Sequence, residues 1–183
     1  MLKEIILKII QMITNPEASW RKLSAHKNHD SFINRYLHPI FGVISLTSFI
    51  GGLWIVPGGD LQTALKSAIV SLVTVYGGYY IASYILNEFL PRFDIPKDEP
   101  KVQQFVGYAS ALIYALFLTL PFLPDFFILW IFALYTVYIV YTSYGVYITG
   151  KEEHRMNFTG VATTLILLTP TVINGILSIL IKN

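Results

Sequence analysis

Histidine is the first residue type to consider for chemistry, because its ordinary pKa lies close to neutral pH and its ring nitrogens bind metals. The four histidines lie outside the middle of every long apolar run, at His26, His29, His38 and His154. The spacing of His26 and His29 would let both bind one metal ion, with Asp30, Glu152 and Glu153 as further ligands. No other pattern supports such a site, and we expect no metal, no cofactor and no catalytic residue.

Other catalytic patterns are missing from the chain. The sequence has no cysteine, which excludes a thiol nucleophile, a disulfide and a cysteine-bound metal. It contains neither a Gly-rich phosphate loop nor an HExxH motif. No Asp, Glu, Lys, Arg or His falls near the middle of an apolar run, where proton relays and ion-coupling groups of membrane proteins usually lie. The sequence therefore predicts a protein that is not an enzyme.

Five long apolar runs dominate the 183 residues, of which 54% are hydrophobic and 13% are charged. Each run is long enough to cross a hydrocarbon core of about 30 Å as a helix. The sequence thus predicts an all-α integral membrane protein with five transmembrane helices, at about 37–56, 64–90, 105–123, 126–148 and 159–181.

Residues 1–36 are expected to form an N-terminal segment ahead of the membrane domain at 37–183. Apolar residues recur at helical spacing over 2–13, which predicts a short amphipathic helix lying on the membrane surface. Asn15 and Pro16 predict the start of a second short helix, with Asn15 as its N-cap. Trp20 is the expected interfacial anchor of that helix. The alternative is that both helices pack against the protein.

The basic residues predict the orientation in the membrane. All but two of the 13 lysine and arginine residues lie before the first span, in the loop between spans two and three, or between spans four and five. Only Lys66 and Lys182 remain for the other side. The positive-inside rule then predicts a cytoplasmic N-terminus and an outside C-terminus. Because the basic residues do not cluster on one domain face, nucleic acid is not an expected partner.

The polar residues within the spans indicate one candidate cleft, at the cytoplasmic mouth between spans two and three. The polar loop 91–102 joins these spans, so residues near their ends should lie close together, and Gly107 would let the two backbones approach. The candidate partner or ligand site comprises Tyr80, Ser83, Asn87, Glu88, Gly107 and Tyr108. The alternative for these residues is ordinary helix packing.

Small and polar residues also recur along the fifth span at alternating steps of four and three. Such a stripe is typical of a helix-packing seam, and an asparagine facing lipid would leave its amide unpaired. The predicted seam comprises Gly160, Thr164, Thr171, Asn174 and Ser178.

The chain resembles the Yip1 family of five-span membrane proteins. The resemblance rests on the N-P-x-x-x-W element at Asn15–Trp20, the His38–Pro39 entry to the first span, the pair Gly77–Gly78, and Gly107–Tyr108 after the polar loop. It implies a non-enzymatic protein of the cytoplasmic (inner) membrane of a prokaryote, typical of the prokaryotic branch of the family. Eukaryotic members are associated with Rab GTPases, but their D-L-x-G-P motif is missing here, so the resemblance does not extend to a Rab role.

The sequence is consistent with two functional hypotheses. The first is a membrane-organising or partner-binding protein, whose partners are the lipid bilayer and membrane proteins, further copies of the same chain included. The second is a channel or facilitator for a small neutral solute or lipid, which needs only a hydroxyl-lined path. A continuous path along Tyr76, Tyr80, Ser83 and Asn87 would favour the second function, and tight packing there would favour the first.

Overall fold

The computed structural model describes residues 2–25, 32–123 and 129–182, and the regular structure in these ranges is helical. The α-helices are α1 (Leu2–Thr14), α2 (Pro16–Ala25), α3 (His38–Trp54), α4 (Leu61–Phe89), α5 (Glu99–Ala109), α6 (Ala111–Thr119), α7 (Leu129–Phe132), α8 (Thr136–Ser143) and α9 (Arg155–Lys182). A π-helical turn at Ile33–Leu37 leads into α3, and 3-10 turns follow α4 and α6, join α7 to α8 and precede α9.

Three helices of the described ranges are long and apolar enough to cross a membrane. With their flanking turns they cover Ile33–Trp54, Leu61–Phe93 and Glu152–Ile181, which contain 22, 33 and 30 residues. At 1.5 Å per residue even the shortest reaches about 33 Å, slightly more than the hydrocarbon core. These helices correspond to the first, second and fifth predicted spans.

The third predicted span, 105–123, is broken near its start. Helices α5 and α6 meet at Ser110, and the two halves, extended to Phe122, are bent by 45°. They form a fourth candidate span if the bent pair is counted as one. Regular apolar patterning carries no signal for this break, because the residues on both sides of Ser110 favour helix.

The fourth predicted span, 126–148, differs most from the structure. Its described part is α7, a 3-10 turn at Ala133–Tyr135, and α8, which ends at Ser143. The predicted end at Ile148 is therefore wrong. Gly145 has a φ of +84° and its amide donates to the Ile148 carbonyl over 2.7 Å, so the chain turns here. Glycine adopts positive φ at little cost and commonly ends helices. Five transmembrane helices are thus not confirmed, and residues 2–25, 32–123 and 129–182 contain three candidates, or four if the bent pair is one span.

Contacts between distant residues define two ends of the helical bundle. At the first, which we call the basic end, the Asp94 carboxylate meets the Lys151 ammonium at 2.7 Å. At the opposite end, Lys66 Nζ lies 3.5 Å from the Ile181 carbonyl, and Gly51 packs against Pro121. The chain therefore runs from the basic end to the opposite end through α5 and α6, and is back at the basic end by residue 151.

One close helix contact joins α4 to α9. A Cβ atom added at Gly78 would lie 2.9 Å from Cβ and 3.1 Å from Cα of Pro170. One at Gly77 would lie 3.0 Å from the Ile173 side chain. The Gly77–Gly78 pair therefore allows a proline within α9 to approach the backbone of α4.

The N-terminal helix α2 packs on the protein. Asn15 caps it as predicted, since its Oδ1 accepts from the Ala18 amide over 3.2 Å. Trp20 is fully buried, and its indole N–H donates to the Ile139 carbonyl over 2.9 Å. Its ring contacts Phe105 and Tyr147 with centroids 5.5 and 5.2 Å away. The prediction that Trp20 anchors the helix at the membrane interface is wrong, because α2 lies against α5 and α8.

Helix α1 has apolar residues on two sides. Ile5, Ile9 and Met12 are buried against the protein, whereas Ile6 and Ile10 are about half exposed. The predicted apolar face is therefore wider than the contact with the bundle. One part packs inward, and the other remains available to lipid.

We expect Trp20→Phe to lower the free energy of unfolding by about 1–3 kcal/mol, because it removes a buried hydrogen bond and leaves the Ile139 carbonyl without that donor. The matched control is Trp54→Phe, since Trp54 is 71% exposed and such surface changes usually stay within about 0.5 kcal/mol. Thermal unfolding in mild detergent measures both. Equal shifts for the two variants would contradict the core role of Trp20.

Candidate functional site

Two of the six predicted cleft residues hold the loop after α4. Asn87 Oδ1 accepts from the Asp98 amide over 3.1 Å, and the Glu88 carboxylate pairs with Lys97 at 2.5 Å. Asp98 in turn caps α5 by accepting from the Lys101 amide over 3.1 Å. The Glu88 and Lys97 side chains are both 46% exposed. The polar groups of Asn87 and Glu88 are therefore engaged in positioning the loop and the start of α5.

Gly107 and Tyr108 lie in an aromatic cluster. A Cβ atom at Gly107 would overlap the Phe32 ring and lie 3.4 Å from Tyr79. Tyr108 is buried and stacks on Tyr36 with ring centroids 4.7 Å apart. The sequence predicted that Gly107 would let two helix backbones approach. In the structure the glycine instead makes room for the Phe32 ring, which comes from the segment before α3.

Tyr80 and Ser83 have opposite environments. Tyr80 is 42% exposed on the side of α4, whereas Ser83 is 2% exposed, and its hydroxyl has no hydrogen-bond partner among the described residues. The six predicted residues consequently do not line one cleft. Asn87 and Glu88 bond to the loop after α4, and Gly107 and Tyr108 belong to an aromatic cluster. Tyr80 is exposed, and the Ser83 hydroxyl is buried.

The predicted seam on α9 mostly faces away from the bundle. Gly160, Thr164 and Thr171 are exposed, and a Cβ atom at Gly160 would meet nothing within 4 Å. The side of α9 that packs against the bundle is formed instead by Phe158, Ala162, Ile166 and Pro170. The stripe of small and polar residues predicted from the sequence does lie on one side of α9. Its residues Gly160, Thr164 and Thr171 are exposed, however, and do not pack against the other helices of the chain.

The remaining seam residues, Asn174 and Ser178, line a large cavity. Its volume is about 1190 Å³, and it opens at the opposite end between α3, α4, α6 and α9. The polar lining includes Ser48, Ser67, Ser71, Asn174, Ser178 and the cationic Lys66. Sequence reasoning placed the candidate cleft at the other end of the bundle. The serines of α3 and α4 were the sequence feature that could have indicated this cavity. A hydroxyl within a span usually bonds to a carbonyl of its own helix, however, so serines alone do not predict a cavity.

A cluster of charged residues joins the loop after α4 to the start of α9 at the basic end. Asp94 Oδ2 lies 2.7 Å from Lys151 Nζ and 3.5 Å from His154 Nε2. The hydrogen bond and charge of Lys151 hold the pKa of the Asp94 carboxyl below its usual value. Asp94, Glu153 and His154 are close enough together to bind a metal ion, but the Lys151 ammonium already supplies the positive charge. The arrangement is therefore that of an ion-pair network.

The metal site considered from the sequence is only partly covered by the structure. His26, His29 and Asp30 lie outside the described residues. Glu152 pairs with Arg155 over 2.8 Å, and Glu153 belongs to the Asp94 network. No sequence signal could have paired Asp94 with Lys151, because 57 residues separate them.

Comparison with known proteins identifies a family. A family model described as Yip1 domain matches residues 10–181, nearly the whole chain. No curated protein and no solved structure matches the chain.

The Asp94 network should give a pH-dependent contribution to stability. Because the carboxyl pKa is lowered in the folded state, its contribution is present above the unfolded value of about 3.9 and is lost as the pH falls through the folded value. The difference in melting temperature between the unmodified protein and Asp94→Asn should therefore shrink as the pH is lowered from 7 to 3.

The matched test places Asp94→Asn in a Lys151→Gln background, where its effect at pH 7 should be smaller. The ion pair is exposed, so the shifts are expected to be small. A pH-independent difference, or the same effect in both backgrounds, would show that Asp94 acts otherwise.

Proposed function

Because the chain belongs to the Yip1 domain family, we propose that it is a polytopic membrane protein that binds partners within the bilayer and catalyses no reaction. The partner is another transmembrane helix, and the first candidate is a second copy of this chain. The observation that carries the proposal is the uncovered stripe of small and polar residues on α9.

The exposure of α9 supports this assignment. In its most apolar stretch of 18 residues 11% are buried, against 39% and 44% in the candidate spans that contain α3 and α4. Its exposed residues Gly160, Thr164 and Thr171 recur at intervals of four and seven, which keeps them on one side of the helix. Small residues let helix backbones approach closely in membranes, and threonine hydroxyls bond across such contacts. A helix side that contacts only lipid gains no stability from such a row of small and hydroxyl residues.

The charge distribution supports the absence of catalysis. The described spans carry charged residues only near their ends, such as Lys66 and Glu88 in α4 and Arg155 in α9. A base or ion-coupling group at membrane depth has no candidate among them. The proposed non-enzymatic role follows from this and from the engagement of Asn87 and Glu88 with the loop.

The proposed membrane arrangement has five crossing segments and one interfacial helix, α1. The contact of Asp94 with Lys151 at one end, and of Gly51 with Pro121 at the other, supports an outward crossing by α5 and α6 and a return through α7 and α8. The half-exposed Ile6 and Ile10 of α1 support contact with the membrane surface. The proposed orientation, with a cytoplasmic N-terminus, is supported by the basic residues. The proposed location in the cytoplasmic membrane of a prokaryote is supported by the resemblance to prokaryotic family members.

A lipid-binding role is the second candidate, and the cavity at the opposite end favours it. Its volume of about 1190 Å³ exceeds the roughly 300–1,000 Å³ of pockets for small molecules, which suits an acyl chain with its headgroup. Lys66 would meet an anionic headgroup, and the serine hydroxyls would contact the ester region. A channel along α4 is less favoured, because Ser83 is enclosed and Tyr80 faces outward.

Single introduced cysteines test the orientation, because the chain has none of its own. Cysteines replacing Glu99 or Glu152 should be shielded from an impermeant thiol reagent in intact cells, and those replacing Gln62 or Asn183 should react. Permeabilised cells provide the control, since all four positions should then react. Opposite labelling would reverse the orientation, and labelling of both Gln62 and Glu152 would rule out five crossings.

Disulfide trapping tests the association through α9. In proteoliposomes that contain the purified chain alone, Thr164→Cys and Thr171→Cys should give an oxidised dimer whose yield rises with protein density. Ile69→Cys is the matched control, because Ile69 is 56% exposed on α4, away from the stripe. An equal yield at all three positions, or none at Thr164 and Thr171, contradicts self-association through this face.

A further inference from the structure

One small internal cavity lies where three irregular helix positions meet. Its lining includes Gly78 of α4, Ser110 at the break between α5 and α6, and Pro170 of α9. It leaves about 10 Å³ for the centre of a water molecule, which is close to the minimum that holds one water. The position lies within the packed bundle and is separate from the large cavity at the opposite end.

Two tyrosines, Tyr79 and Tyr114, line this cavity, and each is 3% exposed. Neither hydroxyl makes a hydrogen bond of good geometry to a described residue, although the Ser110 side chain lies beside the Tyr114 hydroxyl. A phenol hydroxyl hydrogen-bonds to water before folding, so leaving it unpaired in the interior of a membrane protein costs free energy.

A freed backbone acceptor lies beside the same cavity. Pro170 has no amide hydrogen, so the carbonyl of Ile166 loses the donor that a regular helix would supply. Ile166 also lines the cavity. The Thr171 hydroxyl does not compensate, because it donates to the Leu167 carbonyl over 2.8 Å.

We propose that one ordered water molecule occupies this cavity and hydrogen-bonds to the Tyr79 and Tyr114 hydroxyls and to the Ile166 carbonyl. The water accepts from the two phenols and donates to the carbonyl. Its second hydrogen is directed to the Ser110 hydroxyl, which also borders the cavity. The lining includes no ionisable residue other than the two tyrosines, so an ion would lack a counter-charge, and the volume excludes a larger solute.

This water would satisfy polar groups on three helices at once. The glycine pair, the break at Ser110 and the proline each interrupt the regular surface or hydrogen bonding of a helix. Breaks in membrane helices are tolerated where ordered water or neighbouring helices supply the missing partners. The water site therefore allows α4, the α5–α6 bend and α9 to pack together at this position.

Radiolytic labelling of the full chain in nanodiscs tests the site directly. X-ray pulses split bound water into hydroxyl radicals, which oxidise the side chains next to it. Tyr79 and Tyr114 should be oxidised severalfold more than Tyr36, and the added oxygen should carry ¹⁸O after equilibration in labelled water. Tyr36 is the matched control, because it is fully buried with an unpartnered hydroxyl but does not line this cavity. Equal oxidation of all three tyrosines overturns the proposal.

Tyrosine-to-phenylalanine variants provide an independent measurement. Removing a hydroxyl that bonds to the water should lower the melting temperature by about 2–4 °C in each of Tyr79→Phe and Tyr114→Phe. The double variant should lose less than the sum, because the two hydroxyls share one water. If the hydroxyls are unpaired, both single variants would raise the melting temperature, and that result or strict additivity overturns the shared site.

Discussion

The close contact between α4 and α9 is the constraint on which the bundle depends. Pro170 approaches Gly78 so closely that even a methyl group at position 78 would lie about 3 Å from the proline ring and backbone. Helices in lipid gain little from burying apolar surface and associate through packing and hydrogen bonds. A glycine pair opposite a proline therefore determines how near these two helices can come.

Around this contact the remaining stability comes from aromatic packing and from few polar contacts. Trp20 connects α2 to α8 through one hydrogen bond and to α5 through its ring. Phe32, Tyr36 and Tyr108 pack together beside Gly107. The N-terminal segment is thus part of the folded unit, which agrees with a Yip1 domain match that begins at residue 10.

The polar groups of the described residues divide into those that are paired or enclosed and those that are exposed. At the basic end, Asp94 pairs with Lys151 and contacts His154, and Asn87 bonds to the adjoining loop. At the opposite end, hydroxyls and Lys66 line an open cavity. Along the side, the α9 stripe is uncovered, so the surfaces left for a partner or a lipid lie away from the cleft that sequence patterning favoured.

The sequence by itself determined the helical class, the apolar runs that became α3, α4 and α9, the Asn15 cap and the family. These features depend on composition, periodicity and local hydrogen bonding, which act over a few residues. Only the tertiary structure decided that Trp20 is buried, that the α9 stripe is exposed, and that a water-sized cavity forms between Tyr79 and Tyr114. Each of these depends on which faces of distant helices meet. Helical periodicity marks a face as polar or apolar, but in a membrane both kinds of face can pack against protein.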